Sequence, residues 1–78
     1  MWIRTGDVIC NTDEFRRFYI EEIPNGNYGV FGKQTENLST LLGEYRSQIK
    51  AREVFDTLYT SLEHGDKAFT MPNSDKRL

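Results

Sequence analysis

Apolar and polar side chains alternate over residues 17–21, in the middle of the segment 15–23. In an extended chain, Phe18 and Ile20 would lie on one side, whereas Arg17 and Tyr19 would lie on the other. Alternation with this period is typical of a strand in a sheet that has one buried face. The pattern therefore predicts a first long strand over residues 15–23.

Two turn signals divide the following segment into further strands. The dipeptide Asn25-Gly26 stands between two β-like runs and favours a tight hairpin turn with positive φ angles. Residues 28–33 should therefore return antiparallel to the first long strand. A polar turn at residues 34–37 then leads to another strand over residues 38–45. Three strands joined in this way form a meander.

The apolar period changes to that of a helix after Ser47. Apolar residues recur at i, i+3, i+4, i+7 and i+11, which predicts an amphipathic helix over Gln48–His64. Ser47 is suited to cap the first turn, and Gly65 is suited to the left-handed position that follows a helix. The predicted buried stripe consists of Ala51, Val54, Phe55, Leu58 and Leu62.

Shorter β-like runs lie near both ends of the sequence. Residues 1–4 are a candidate strand that ends at a cluster of turn-forming residues, and a short apolar stretch follows at residues 8–11. Residues 68–71 form a third short run, which is followed by Pro72. Because proline lacks an amide donor, this run is suited to a position at the edge of a sheet.

These elements together predict an α+β fold, with an antiparallel β-meander of four or five strands packed against one C-terminal amphipathic α-helix. We expect a single domain over residues 1–71 and a disordered polar tail over residues 72–78. The strand glycines Gly29, Gly32 and Gly43 indicate either β-bulges or close approach of the helix. The pattern alone does not decide between these two readings.

The amino-acid composition of the chain limits the classes of function that it can have. Ten basic and twelve acidic residues give a net charge of −2, and the charges are interspersed, which disfavours nucleic-acid binding through phosphate neutralisation. No apolar run approaches the roughly 20 residues that span a bilayer. The N-terminus lacks a signal-peptide pattern and Cys10 is the single cysteine, so we expect a cytoplasmic protein without a disulfide.

Three short motifs carry a resemblance to a known group of proteins. The motifs are the opening Met1-Trp2-Ile3-Arg4, the Gly43-Glu44-Tyr45 before the helix and the closing Phe69-Thr70-Met71-Pro72. The chain resembles short, functionally uncharacterised proteins of Gram-positive bacteria and their phages that begin Met-Trp-Ile-Arg. That resemblance implies a strand at the N-terminus, a meander, one helix, and a phage or prophage context. It implies no site residue.

Candidate catalytic and metal-binding residues are few. Cys10 stands in an apolar run, where a thiol is more often a small buried hydrophobe than a nucleophile, and His64 stands at a predicted helix end. Members of the acidic pairs Asp13-Glu14 and Glu21-Glu22 would point to opposite faces of a strand, so neither pair converges on an ion. The sequence predicts no catalytic residue, no metal site and no cofactor, and favours a protein that is not an enzyme.

The surplus of aromatic residues suggests a contact surface. One helix can cover only one face of the sheet, so aromatic side chains on the other face would form an exposed patch of the kind that marks contact sites. This reasoning predicts a small protein-interaction module that binds another protein or itself. The alternative is a monomer whose rings merely lie along its surface. The candidate surface consists of Trp2, Arg17, Tyr19, Tyr28 and Tyr59.

A second hypothesis assigns the same sheet face to nucleic acid. Aromatic side chains at Tyr19, Tyr28 and Phe31 could stack on bases, while Arg16 and Arg17 contact the backbone of the nucleic acid. The acidic neighbours and the net charge of −2 argue against this alternative, because affinity for a phosphate backbone depends on positive charge.

Overall fold

The computed structural model describes residues 1–74 of the 78-residue chain and confirms the α+β fold. Within that range the chain forms six strands, one α-helix and a short 3-10 turn. In chain order the elements are β1 (Trp2–Thr5), β2 (Val8–Asn11), the 3-10 turn (Thr12–Glu14), β3 (Arg17–Glu22), β4 (Tyr28–Thr35), β5 (Leu38–Tyr45), α1 (Gln48–His64) and β6 (Ala68–Thr70).

The six strands form two three-stranded sheets. The predicted meander is present as β3, β4 and β5, which pair antiparallel in that order and are called the meander sheet below. The terminal sheet has the order β2-β1-β6. In it β1 pairs antiparallel with β2 and parallel with β6. The structure therefore has more strands than the four or five predicted, and the segment at residues 68–71 supplies an edge strand.

A capped 3-10 turn separates the two sheets along the chain. The Asn11 side chain accepts a hydrogen bond from the Asp13 amide (3.0 Å), and the Glu14 carboxylate accepts one from the Asn11 amide (3.3 Å). These reciprocal bonds form a capping box, which satisfies amides at the start of the turn. The turn ends at Phe15, whose backbone is already extended, and β3 begins at Arg17 rather than at residue 15.

The hairpin turn between β3 and β4 differs from the predicted one. Gly26 has a φ of 91°, but within residues 1–74 no residue other than glycine has a positive φ, so Asn25 does not share that conformation. The Gly26 amide bonds to the Ile23 carbonyl (2.9 Å) across Pro24 and Asn25. A negative φ at Asn25 gives a type I turn, with proline at its favoured position and glycine after it.

Both helix ends lie where the local sequence places them. The Ser47 hydroxyl accepts a hydrogen bond from the Lys50 amide (3.0 Å), and Gly65 adopts the left-handed conformation with φ of 72°. Ala51, Val54 and Leu58 are buried against the meander sheet. For residues 1–74, no helix has the length and apolar character needed to cross a bilayer.

The core lies between α1 and one face of the meander sheet. The terminal sheet contributes Ile3 to this core, and a hydrogen bond from the Thr5 hydroxyl to the Leu42 carbonyl (2.5 Å) connects the two sheets. Phe18 and Ile20 pack against the core, as their alternation predicted. The buried apolar residues are Ile3, Val30, Leu42, Tyr45, Ala51, Val54, Leu58 and Met71.

A β-bulge interrupts the pairing of β4 with β5. Val30 pairs with Gly43 and Phe31 pairs with Leu41, so Leu42 is the additional residue. A Cβ atom added at Gly43 would overlap the Tyr45 side chain, whose ring carbons would lie 2.9 Å away. Gly43 therefore lies at a β-bulge, which is one of the two predicted roles of the strand glycines. It also has a role that was not predicted, because it makes space for the Tyr45 ring.

The segment after β6 runs back along β5. The Tyr45 hydroxyl donates to the Pro72 carbonyl (2.9 Å), and the Glu44 amide donates to the Ser74 hydroxyl (2.9 Å). Residues 72–74 of the predicted tail are thus hydrogen bonded to β5. Residues 75–78 of that tail lie outside the described residues.

Candidate functional site

The face of the meander sheet that is turned away from α1 carries a row of three apolar side chains. The strand register aligns Tyr19 of β3 with Phe31 of β4, and Phe31 with Leu41 of β5. None of these three side chains packs against the core, and Leu41 is 43% exposed. We call this side the outer face of the sheet, and these three residues its apolar row.

Charged side chains border the apolar row with opposite sign on its two sides. On one side the register aligns Arg17 with Lys33, and these two residues form the basic row. On the other side it aligns Glu21 and Glu44 with the intervening Gly29, and the two glutamates form the acidic row. The outer face is therefore divided into a positive edge, an apolar centre and a negative edge.

The apolar row is held in place by local contacts. The rings of Tyr19 and Phe31 stack with their centroids 5.3 Å apart and their planes 14° apart, and the Tyr19 hydroxyl donates to the Ser39 hydroxyl (2.9 Å). A Cβ added at Gly29 would lie 2.6 Å from the Phe31 ring and 2.9 Å from Leu41. Glycine thus lets the Phe31 ring lie flat on the strand, and the centre of the face is preorganised.

The acidic row is anchored to the β3–β4 turn through Glu44. Its Oε2 atom accepts hydrogen bonds from Nδ2 of Asn25 (2.9 Å) and Nδ2 of Asn27 (2.6 Å). Asn27 is buried, with 5% of its surface exposed, which fixes one of these two donors. Hydrogen bonds from Asn25 and then Asn27 lower the pKa of the Glu44 carboxyl from its ordinary value, because they favour the charged form.

The lowered pKa of Glu44 predicts a loss of stability in acid. A carboxyl whose folded pKa lies below its unfolded pKa stabilises the fold above the unfolded value, roughly 4.3, and loses this contribution as pH falls through the folded value. We expect Glu44→Gln to destabilise the protein at neutral pH, with an effect that shrinks only once the pH falls below the unfolded pKa of the carboxyl. Urea unfolding across a pH series measures the difference.

A second variant removes one of the two hydrogen-bond donors to the Glu44 carboxylate. Asn25 is exposed and its side-chain amide bonds to Glu44, so Asn25→Ala should weaken the same pH dependence without changing the carboxyl. A difference between native protein and Glu44→Gln that stays constant from neutral to acidic pH would contradict this account.

The structure brings two of the five predicted surface residues together. Arg17 and Tyr19 lie side by side on the outer face. Trp2 is 52% exposed on the terminal sheet, and Tyr59 is 61% exposed on α1. Tyr28 packs against the core, because its position next to Gly29 places it on the opposite face. The predicted surface is therefore divided among three parts of the molecule.

Residues on β4 and β5 complete the surface, and the sequence reasoning did not assign them to it. Lys33, Phe31 and Leu41 join Arg17 and Tyr19 through the strand register. The sequence-based hypotheses use Phe31 only as a base-stacking residue, in a group with Tyr28. Residues three apart in a regular strand lie on opposite faces, and this parity was the signal that would have separated the two rings.

A small apolar groove lies elsewhere, between α1 and the edge strand β3. It encloses about 200 Å³ and is lined by Phe18, Phe55, Leu58, Tyr59 and Leu62. Binding sites for small molecules usually have volumes of about 300–1,000 Å³ and contain convergent polar groups. This groove is smaller than that range, and Tyr59 is the one lining residue whose side chain has a polar group.

The surroundings of Cys10 do not activate its thiol. Burial raises the pKa of the Cys10 thiol, and the negative charge of Glu14 raises it further, which disfavours the thiolate form. His64 lies at the C-terminal end of α1, remote in sequence from Cys10. In the part of the chain that the structure describes, no three His, Cys, Asp or Glu residues are grouped to hold a metal ion.

Comparisons with protein-family models, with curated proteins and with solved structures give no match for this chain.

Proposed function

We propose that the protein is a small, non-enzymatic interaction module that binds protein through the outer face of the meander sheet. The observation that carries this proposal is the row of Tyr19, Phe31 and Leu41, which lies outside the core on a sheet face that α1 does not cover. Leu41 is exposed and Tyr19 and Phe31 are half-buried, so the row presents apolar surface to solvent, and contiguous patches of this kind usually mark contact sites.

The composition of the face supports a protein partner. Aromatic and arginine side chains are enriched at protein interfaces, and stacked rings supply contact area at low entropic cost. Tyr19 and Phe31 are already stacked, so little ordering is required on binding. The polar edges formed by Arg17 and Glu21 have the character of an interface rim.

A nucleic-acid partner fits the same face less well. Arg17 and Lys33 stand next to the stacked rings, as base-stacking proteins require, but Glu21 and Glu44 stand on the other side. A strand of phosphates that crosses the face would meet these carboxylates. Since backbone affinity comes from positive contacts, the acidic row opposes this mode of binding.

Photo-crosslinking in the cells that produce the protein tests the proposal. A benzophenone amino acid replaces Leu41 on the outer face, and the matched control places it at Ile49, which is 76% exposed on α1. We expect a covalent protein product from position 41 and not from position 49. Addition of Phe31→Ala should remove the product, because that change removes the central ring.

Two results would contradict the proposal. One is the absence of a product at position 41 beyond that seen at position 49. The other is tight binding of labelled single-stranded or duplex oligonucleotides by the purified protein at about 50 mM salt, where electrostatic binding is strong. Fluorescence anisotropy measures this oligonucleotide binding, and Arg17→Ala would then weaken the binding.

Phage or prophage context is a separate part of the proposal, which rests on the sequence resemblance and is tested by genome neighbourhood.

A further inference from the structure

We infer that the occupant of the outer face is a second copy of this chain, packed face to face with its strands antiparallel. This inference rests on the proposed function and specifies its partner. The observation behind it is the order of the three rows, which makes the outer face complementary to itself in one orientation.

The geometry of a two-fold dimer selects that orientation. Two identical sheets that pack face to face are related by an axis lying in the plane between them, and the same patch is used by both copies. An axis along the strands would place Arg17 and Lys33 of one copy over the same basic row of the other. An axis along the apolar row instead places the basic row of each copy over the acidic row of its partner.

In this second arrangement each row meets a suitable counterpart. Tyr19, Phe31 and Leu41 of one copy face the same three residues of the other across the axis. Arg17 faces Glu21 of the second copy, and the symmetry repeats this pair. Among residues 1–74, neither the Arg17 guanidinium nor the Glu21 carboxylate has an ion-pair or hydrogen-bond partner, so both are available to the second copy. Like charges would instead face each other in the parallel arrangement, which is unfavourable.

The size of the face indicates a weak dimer. Three strands spaced about 4.8 Å apart and five residues long cover a flat area of roughly 250 Å². Stable complexes bury on the order of 800 Å² on each partner. The face has about a third of that area on each copy, so the contact we infer is weak and reversible rather than an obligate dimer. The core of each copy is complete without the second one, since Val30, Leu42 and Tyr45 are buried within the chain.

Sedimentation equilibrium with charge-reversal variants tests the arrangement. The native protein should show a mass that rises with concentration between about 10 μM and about 1 mM, the range of a weak complex. We expect Arg17→Glu and Glu21→Arg each to weaken the dimer by about tenfold or more, because each places like charges opposite one another. Both residues are exposed on β3, so the variants should fold, which circular dichroism checks.

Restoration of the dimer is the decisive result. The double variant Arg17→Glu/Glu21→Arg should dimerise to within about threefold of the native protein, because each reversed pair again has opposite charges. An equimolar mixture of the two single variants should form a heterodimer for the same reason. The matched control is Arg52→Glu, which changes the net charge equally on the exposed side of α1 and should leave the dimer unchanged.

Three results would overturn the inference. The first is a native protein that stays monomeric up to about 1 mM. The second is a dimer that the single reversals do not weaken, or that the double reversal does not restore, which would assign it to another surface such as the groove beside Tyr59. The third is a crosslinked product at position 41 that contains only a different protein. This third result leaves the interaction function standing, whereas absence of any product at position 41 removes both proposals.

Discussion

Leu58→Ala is expected to cost about 2–5 kcal/mol of the free energy of unfolding, because it leaves a cavity at the centre of the core. Leu58 is 1% exposed and packs from α1 against the meander sheet. A domain of this size has a total stability of about 4–12 kcal/mol, so the variant should lose a large part of it. Thermal unfolding should shift by about 10 °C or more.

Ile49→Ala is the matched control on the same helix. It also truncates an aliphatic side chain to alanine, but Ile49 is 76% exposed. No cavity forms there, and alanine has the higher helix propensity, so we expect a change within about 0.5 kcal/mol. Urea denaturation followed by circular dichroism compares the two variants. Equal losses at both positions would contradict the packing of α1 on the sheet.

Gly43→Ala should destabilise the protein by about 1–3 kcal/mol, although it adds only one methyl group. The added Cβ would overlap the hydroxyl of Tyr45 and lie 2.9 Å from two of its ring carbons. Tyr45 is fully buried and its hydroxyl donates to the Pro72 carbonyl. The ring therefore has no free space into which it can move, and either the bulge or the ring position must change.

A double-mutant cycle tests whether overlap with Tyr45 causes the loss of stability in Gly43→Ala. Tyr45→Phe alone should cost about 0.5–1.5 kcal/mol through the lost hydrogen bond. Combined with Gly43→Ala it should cost less than the sum of the two single changes, because the nearest overlapping atom is the removed hydroxyl. Strictly additive losses in denaturant unfolding would show that the overlap does not determine the effect of Gly43→Ala.

The elements that local sequence determines were predicted well. Both ends of α1 follow from hydrogen bonds that Ser47 and Gly65 make within a few residues. The division into two sheets was not predicted, because it depends on pairing between β1 and β6, which are distant in sequence. It also depends on the capped turn after Asn11, although the spacing of Asn11 and Glu14 is itself a capping-box signature in the sequence.

The sequence predicted only the part of the candidate surface that lies on one strand. Arg17 and Tyr19 share a face because they are two residues apart on β3. Leu41 and Glu44 are three residues apart, and regular alternation would place them on opposite faces. The bulge at Leu42 brings both into register with outer-face positions of β4. An inserted residue of this kind leaves no reliable trace in the apolar pattern.

The parallel pairing of β1 with β6 also affects how a newly made chain reaches its native state. Trp2 pairs with Ala68, so β1 leaves the ribosome well before β6, its parallel partner. The β3–β4–β5 hairpins and α1 are contiguous and can form earlier, since short loops close at lower entropic cost. Until β6 emerges, Ile3 has no completed sheet around it, and nascent β1 presents an open edge to other chains.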